Sequence, residues 1–131
     1  MTMKLSEKIL LKLSKNPEVT QRRQNLENWD VSNALNDLKE VIPDFVERIK
    51  GKKVVDFGCG FGYQTVAMAE EGAEFVLGLD INLESLKQAE QLARVSSTKE
   101  RVLFARELPR EHIGQMDVVI SQNSMEHFPD P

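Results

Sequence analysis

The sequence predicts an α/β protein built on a doubly wound parallel sheet, with helices leading into it. Three observations carry that expectation. Four short apolar runs end at Phe57, Leu79, Ala105 and Ser121, with the length and residue types of strands. Helical spacing of apolar residues follows the first two runs, and alternating strands and helices build parallel sheets. Between the first run and its helix stand Gly58, Gly60 and Gly62. Strand, glycine-rich turn, helix is the plan of a nucleotide-binding unit.

The 131 residues suit a single domain, read as a helical segment over 1–50 leading into an α/β body over 51–131. Leu5, Ile9, Leu10 and Leu13 fall at helical spacing, so Lys4 to Ser14 reads as an amphipathic helix ended by Asn16-Pro17. Thr20 to Asp30 is polar and holds the single tryptophan, Trp29, expected in a loop or short turn with its indole against the body. Asn33 to Lys50 reads as a second helix with Leu35, Leu38, Ile42, Phe45, Val46 and Ile49 on one side. Pro43 inside it predicts a kink, or a break with a new helix opened there. Gly51 closes it.

In the body, Val54, Val55 and Phe57 mark the first strand, and Tyr63 to Glu71 a helix stopped by Gly72. Glu74 to Leu79 is the second strand, followed by a helix to about Val95. Arg101 to Ala105 is the third strand. Arg106 to Gln115 is a short connection with one helical turn after Pro109, where His112 is expected to be exposed. Asp117 to Ser121 is the fourth strand, and Gln122 to Pro131 a loop beyond it. In the Rossmann-like order 3-2-1-4, the ligand crevice lies at the strand C-terminal ends, between strands one and four. Asp56 to Gly62, Asp80 to Asn82, Arg106-Glu107 and Ser121 to His127 converge there.

Composition excludes several classes. A formal charge of −4 and a pI near 5.3 imply no broad basic field, so neither nucleic acid nor an anionic membrane surface is an expected partner. Lys8, Lys12, Lys15, Arg22 and Arg23 read as a solvated face. Cys59 is the only cysteine, which rules out an internal disulfide and a cysteine-based metal site. No metal is expected. No apolar run is long enough to cross a bilayer and the N-terminus lacks a signal-peptide pattern, so a cytoplasmic protein is expected.

Asp80 lies 20 residues after Gly60, at the end of the second strand. A carboxylate there can accept hydrogen bonds from both ribose hydroxyls of a bound adenosine. It can also cap the helix that follows, and the two roles are compatible. A dinucleotide fingerprint wants G-x-G-x-x-G, with a small third residue for close helix packing. This chain has G-x-G-x-G followed by the bulky Tyr63. Asp56, two residues before the first glycine, suits a ligand ammonium better than a pyrophosphate. The pattern points to an amino-acid nucleoside.

The stretches VVDFGCGFGYQT, LDINLESLKQA and MDVVISQNSMEHFPDP together resemble the class I S-adenosylmethionine-dependent methyltransferases, most closely their small-molecule branch. The resemblance covers Lys53 to Pro131. It implies S-adenosylmethionine as cofactor and methyl transfer to a small-molecule acceptor. By position, Asp56, Gly58, Gly60 and Gly62 would hold the methionine part, with Cys59 and Phe61 contributing mostly backbone. Asp80 would take the ribose hydroxyls, and Ile81 would pack on the adenine. Glu107 stands where many relatives carry an Asp near the adenine amino group. Ser121 and Gln122 would offer backbone near the sulfonium, and Asn123, Glu126 and His127 would face the acceptor.

A base is needed only if the acceptor must lose a proton, and His127 is the candidate; local backbone bonding or pocket lining is its commoner role. Cys59 reads as a small packed residue rather than a nucleophile. Two alternatives stay open: a non-catalytic cofactor-binding or interaction module, and a nicotinamide-dependent oxidoreductase, which the glycine spacing disfavours. The resembled fold continues past strand four with three more strands, whereas the sequence stops at Pro131. The expectation is therefore a leading fragment of a longer enzyme, or a second chain covering the bare Asp117–Ser121 edge.

Overall fold

Valine-rich β1 (Lys53–Phe57) lies at the centre of a four-stranded sheet, between β2 (Phe75–Leu79) and β4 (Val118–Ser121), with β3 (Val102–Ala105) beyond β2. A computed structural model describes residues 30–122 of the chain. All three pairings are parallel, and the order β3-β2-β1-β4 is the one expected from the sequence. Among the described residues, four α-helices accompany the strands: α1 (Asn36–Val41), α2 (Phe45–Ile49), α3 (Tyr63–Glu70) and α4 (Leu83–Arg94). The helix expected over Lys4 to Ser14, Trp29, and the loop residues Asn123, Glu126 and His127 lie outside the described residues.

Val54 of β1 and Val76 of β2 pack with Ala67, Met68 and Ala69 of α3 and with Phe45 and Ile49 of α2. Small residues on α3 let the helix sit close to the strands. Val66, Leu86, Ala89 and Phe104 join α3 and α4 to β3. The alternate residues Val55, Leu77 and Leu79 face the other way, against Leu108 and Met116 of the β3–β4 connection. Strands buried on both faces read as continuous apolar runs, as these do.

Residues 33–50 form two short helices rather than one. Pro43 lies between α1 and α2. Ile42, which precedes it, leaves the helical region with φ −126° and ψ 88°, as the residue before a proline tends to. The break lets Leu35 and Phe45 both reach the body core. Within its described part, the leading segment therefore shares a core with the sheet.

α4 opens at Asn82, whose side chain accepts from the Glu84 and Ser85 backbone N–H groups at 3.1 and 3.2 Å. The far end of α3 is held from β3's side. Arg101 donates to the Ala73 carbonyl at 2.6 Å and the Ala69 carbonyl at 2.9 Å. A short 3-10 turn, Arg110–His112, follows Pro109 as expected. His112 is half-buried rather than exposed, its ring stacked on Phe75 with centroids 5.1 Å apart. β4 is an outer strand among the described residues, and Val119 is exposed on it.

Candidate functional site

The strands end level. Phe57 pairs with Leu79 and with Ser121, and Leu79 pairs with Ala105. The segments Gly58–Gly62, Asp80–Asn82, Arg106–Glu107 and Gln122 therefore leave one rim of the sheet. The sequence expectation named these segments for the crevice.

The glycine turn is shaped by three positive φ angles: 75° at Gly58, 55° at Gly60 and 83° at Gly62. Such angles are costly for any residue with a Cβ. At Gly62 there is also no room for one. A Cβ would lie 2.8 Å from both Ala89 Cβ and Phe104 Cζ. The turn is tied to β2: the N–H groups of Gly58 and Cys59 both donate to the Leu79 carbonyl, at 2.8 and 3.0 Å.

Asp80 is bound by the turn itself. The Gly60 N–H donates to Asp80 Oδ2 and the Asn82 N–H to Oδ1, each at 2.9 Å. Its carboxylate is thus fixed in orientation, half-buried, beside the glycine backbone. Asn82, and not Asp80, supplies the side-chain cap of α4. With capping assigned to its neighbour, Asp80 keeps acceptor capacity on both oxygens for a ligand.

Asp56 lies on the same side of β1 as Val54, beneath the start of α3. It is only 2% exposed. The Thr65 hydroxyl donates to Asp56 Oδ2 at 2.6 Å. The carboxyl group is therefore enclosed under the turn rather than an open wall of the crevice. Cys59 is half-buried, its Sγ 3.0 Å from where a Cβ on Gly78 would stand. Phe61 is half-buried. Tyr63 points into the core cluster around Val54.

Ile81 is buried in the bend between β2 and α4. Glu107 is exposed just past β3, Ser121 is exposed at the last position of β4, and Gln122 is half-buried beside it. Three contributors escaped the sequence reading. Thr65 is a buried hydroxyl on an apolar helix stretch, a mismatch that signals a partner. Gly78, in mid-strand, signals a close approach, and its neighbour is Phe104. Phe104 itself, one apolar residue in a strand, carries no such signal.

Residues 54–131 match a family described as a methyltransferase domain. The chain belongs to the methyltransferase domain family. Relatives of this domain include the ubiquinone biosynthesis O-methyltransferases of Psychrobacter arcticus, 40% identical over 63% of this chain and 34% of theirs, and of Bordetella avium, 39% identical over 75% and 42%. That of Leptothrix cholodnii is 38% identical over 79% of this chain and 48% of its own. The chain thus spans about a third to a half of the length of these curated relatives. Among solved structures, the magnesium protoporphyrin IX methyltransferase of Synechocystis, determined with bound SAM, superposes with a TM-score of 0.65 at 22% identity, over 98% of this chain and 67% of that one. At that identity the likeness is one of fold, and it agrees with the methyltransferase domain assignment.

Proposed function

We propose that the chain binds S-adenosylmethionine at the C-terminal rim of the sheet and forms the cofactor side of an enzyme that methylates a small molecule. The observation that carries this reading is the Gly60–Asp80 clamp, which fixes the orientation of a carboxylate beside the glycine turn at the rim of the sheet. A cis-diol fits the acceptor capacity left on Asp80. A pyrophosphate would instead meet the Asp80 carboxylate at the rim. An amino-acid nucleoside brings cationic groups to the same place.

In this reading Asp80 orients the ribose, Ile81 packs on the adenine, and Glu107 receives its amino group. Gly58, Cys59, Gly60 and Gly62 line the amino-acid end, with the Asp56 carboxyl beneath them. Ser121 and Gln122 border the sulfonium end, and Asn123, Glu126 and His127 the acceptor. When bound, the cofactor supplies a methyl group activated on a sulfonium centre. The chain's residues align that group for in-line attack and keep water out. His127 takes a proton only from an acceptor that must lose one. The name carried by the relatives supports oxygen on a small molecule as the accepting atom.

Cofactor binding is the property put to the test. A cytoplasmic setting belongs to the same reading; among the described residues no helix is long and apolar enough to cross a membrane. Isothermal titration tests it. S-adenosylhomocysteine should bind with one-to-one stoichiometry and NAD should give no heat. The reverse result would restore the oxidoreductase alternative, and no binding of either would remove the cofactor assignment.

A further inference from the structure

Thr65 is fully buried in the first turn of α3, and its hydroxyl donates to Asp56 Oδ2 at 2.6 Å. Its neighbours along the helix, Val66, Ala67, Met68 and Ala69, are all apolar and buried. Valine has nearly the same shape as threonine, so a residue needed only to fill this space would not require the hydroxyl. From this pair we infer that Thr65 is a positioning residue: acting through Asp56, it sets the affinity of the site for the amino-acid end of a bound nucleoside. The inference rests on the cofactor reading above.

The physics is local. Enclosing a polar carboxyl group without a hydrogen-bond partner is costly, and the Thr65 hydroxyl supplies one. The pair also spans the base of the turn. Asp56 is the last residue but one of β1 and Thr65 the third of α3. All three positive-φ glycines of the turn lie between them. The end of β2 and the residue after it brace the outgoing limb: Leu79 and Asp80 take the Gly58, Cys59 and Gly60 N–H groups. Thr65 braces the limb that returns into α3. The end of the site nearest Asp56 is then held by the hydroxyl, and the ribose end by Asp80 independently of it.

Titration of the full chain with two ligands separates these ends. 5′-Methylthioadenosine keeps the adenine and ribose of S-adenosylhomocysteine but lacks the amino-acid group. Thr65→Val should weaken S-adenosylhomocysteine about tenfold and leave 5′-methylthioadenosine unchanged. Thr65→Ser should restore the loss. In an Asp56→Asn background, Thr65→Val should add nothing further. Unchanged S-adenosylhomocysteine affinity in Thr65→Val, an equal loss for both ligands, or the same loss in the Asp56→Asn background would each overturn the inference. Should Thr65→Val not fold, Thr65→Ala decides: a loss confined to S-adenosylhomocysteine supports the inference, and wild-type affinity or an equal loss for both ligands overturns it. A wild-type chain that binds neither ligand overturns the cofactor reading and this inference with it, an outcome distinct from the others.

Discussion

Gly62→Ala adds one methyl group where the glycine turn, α4 and β3 meet, and the geometry sets its cost. The residue has φ +83°, and its Cβ would stand 2.8 Å from Ala89 Cβ and 2.8 Å from Phe104 Cζ. Two penalties add. A left-handed backbone costs a residue with a side chain about 1–2 kcal/mol, and an extra methyl in a packed core about 1–3 kcal/mol. Neither neighbour has room to yield. Ala89 is fully buried on α4, and the Phe104 ring is confined on another side by Gly78, whose Cβ would lie 2.6 Å from Phe104 Cδ1. The expected loss is about 2–5 kcal/mol, a large share of the roughly 5–15 kcal/mol that holds a typical domain folded. Gly51 is the control: φ +67°, with nothing within 4 Å of its Cβ. Gly51→Ala should carry the backbone penalty alone, about 1–2 kcal/mol. In urea unfolding followed by circular dichroism, the two midpoints should differ by roughly 1 M. Coincident midpoints would refute the tight contact between turn and ring. Phe104→Leu, destabilising by itself, should recover part of the Gly62→Ala loss when the two are combined.

Asp80→Asn replaces one acceptor oxygen by an amide that faces an N–H donor, from either Gly60 or Asn82; S-adenosylhomocysteine affinity measured by titration should fall about 10- to 100-fold. Arg101→Met removes both bonds to the Ala69 and Ala73 carbonyls and should cost about 1–3 kcal/mol in urea unfolding, while ligand affinity stays unchanged because those carbonyls lie at the end of α3 away from the turn. Asp44 donates nothing to the site but reports on α2: the Arg48 guanidinium beside it lowers its pKa from the ordinary 3.8. A depressed carboxylate stabilises the fold above its unfolded value, and that contribution fades as pH falls through the folded one. In Arg48→Ala, carbon-detected NMR should show Asp44 titrating back near 3.8; an unmoved titration would show that the ion pair does not set it.

Strand order and strand ends were legible because their signals are local: short apolar runs, glycines after the first, and an aspartate at the end of the second. What escaped was decided by contacts between segments. Pro43 announces a disturbance in residues 33–50, but kink and break are alike in sequence. The break is fixed by Leu35 and Phe45 both reaching the same core. His112 looks exposed in a polar connection, yet Phe75, at the start of β2, lies against its ring. Asp56 was expected to meet a ligand, and its spacing from the glycines supports that. It is enclosed and bonded by the Thr65 hydroxyl, which nothing in the glycine motif specifies.

In a dinucleotide fingerprint the third glycine allows close packing of helix on strand. Here that contact is made by Gly62, against Phe104 and Ala89, while the following Tyr63 turns to the core cluster beside β1. Close packing thus comes one residue earlier, and the turn is correspondingly short. A short turn brings the Gly60 N–H onto Asp80, with Gly58 and Cys59 already on the Leu79 carbonyl and the Gly62 N–H on that of Cys59. Four backbone donors of the turn are therefore committed inside the protein. A phosphate cradle needs such donors pointing outward at the ligand. A turn that has turned them inward offers a poor seat to a pyrophosphate, but it fixes a carboxylate for a ribose, which is the physical ground for preferring an amino-acid nucleoside at this rim.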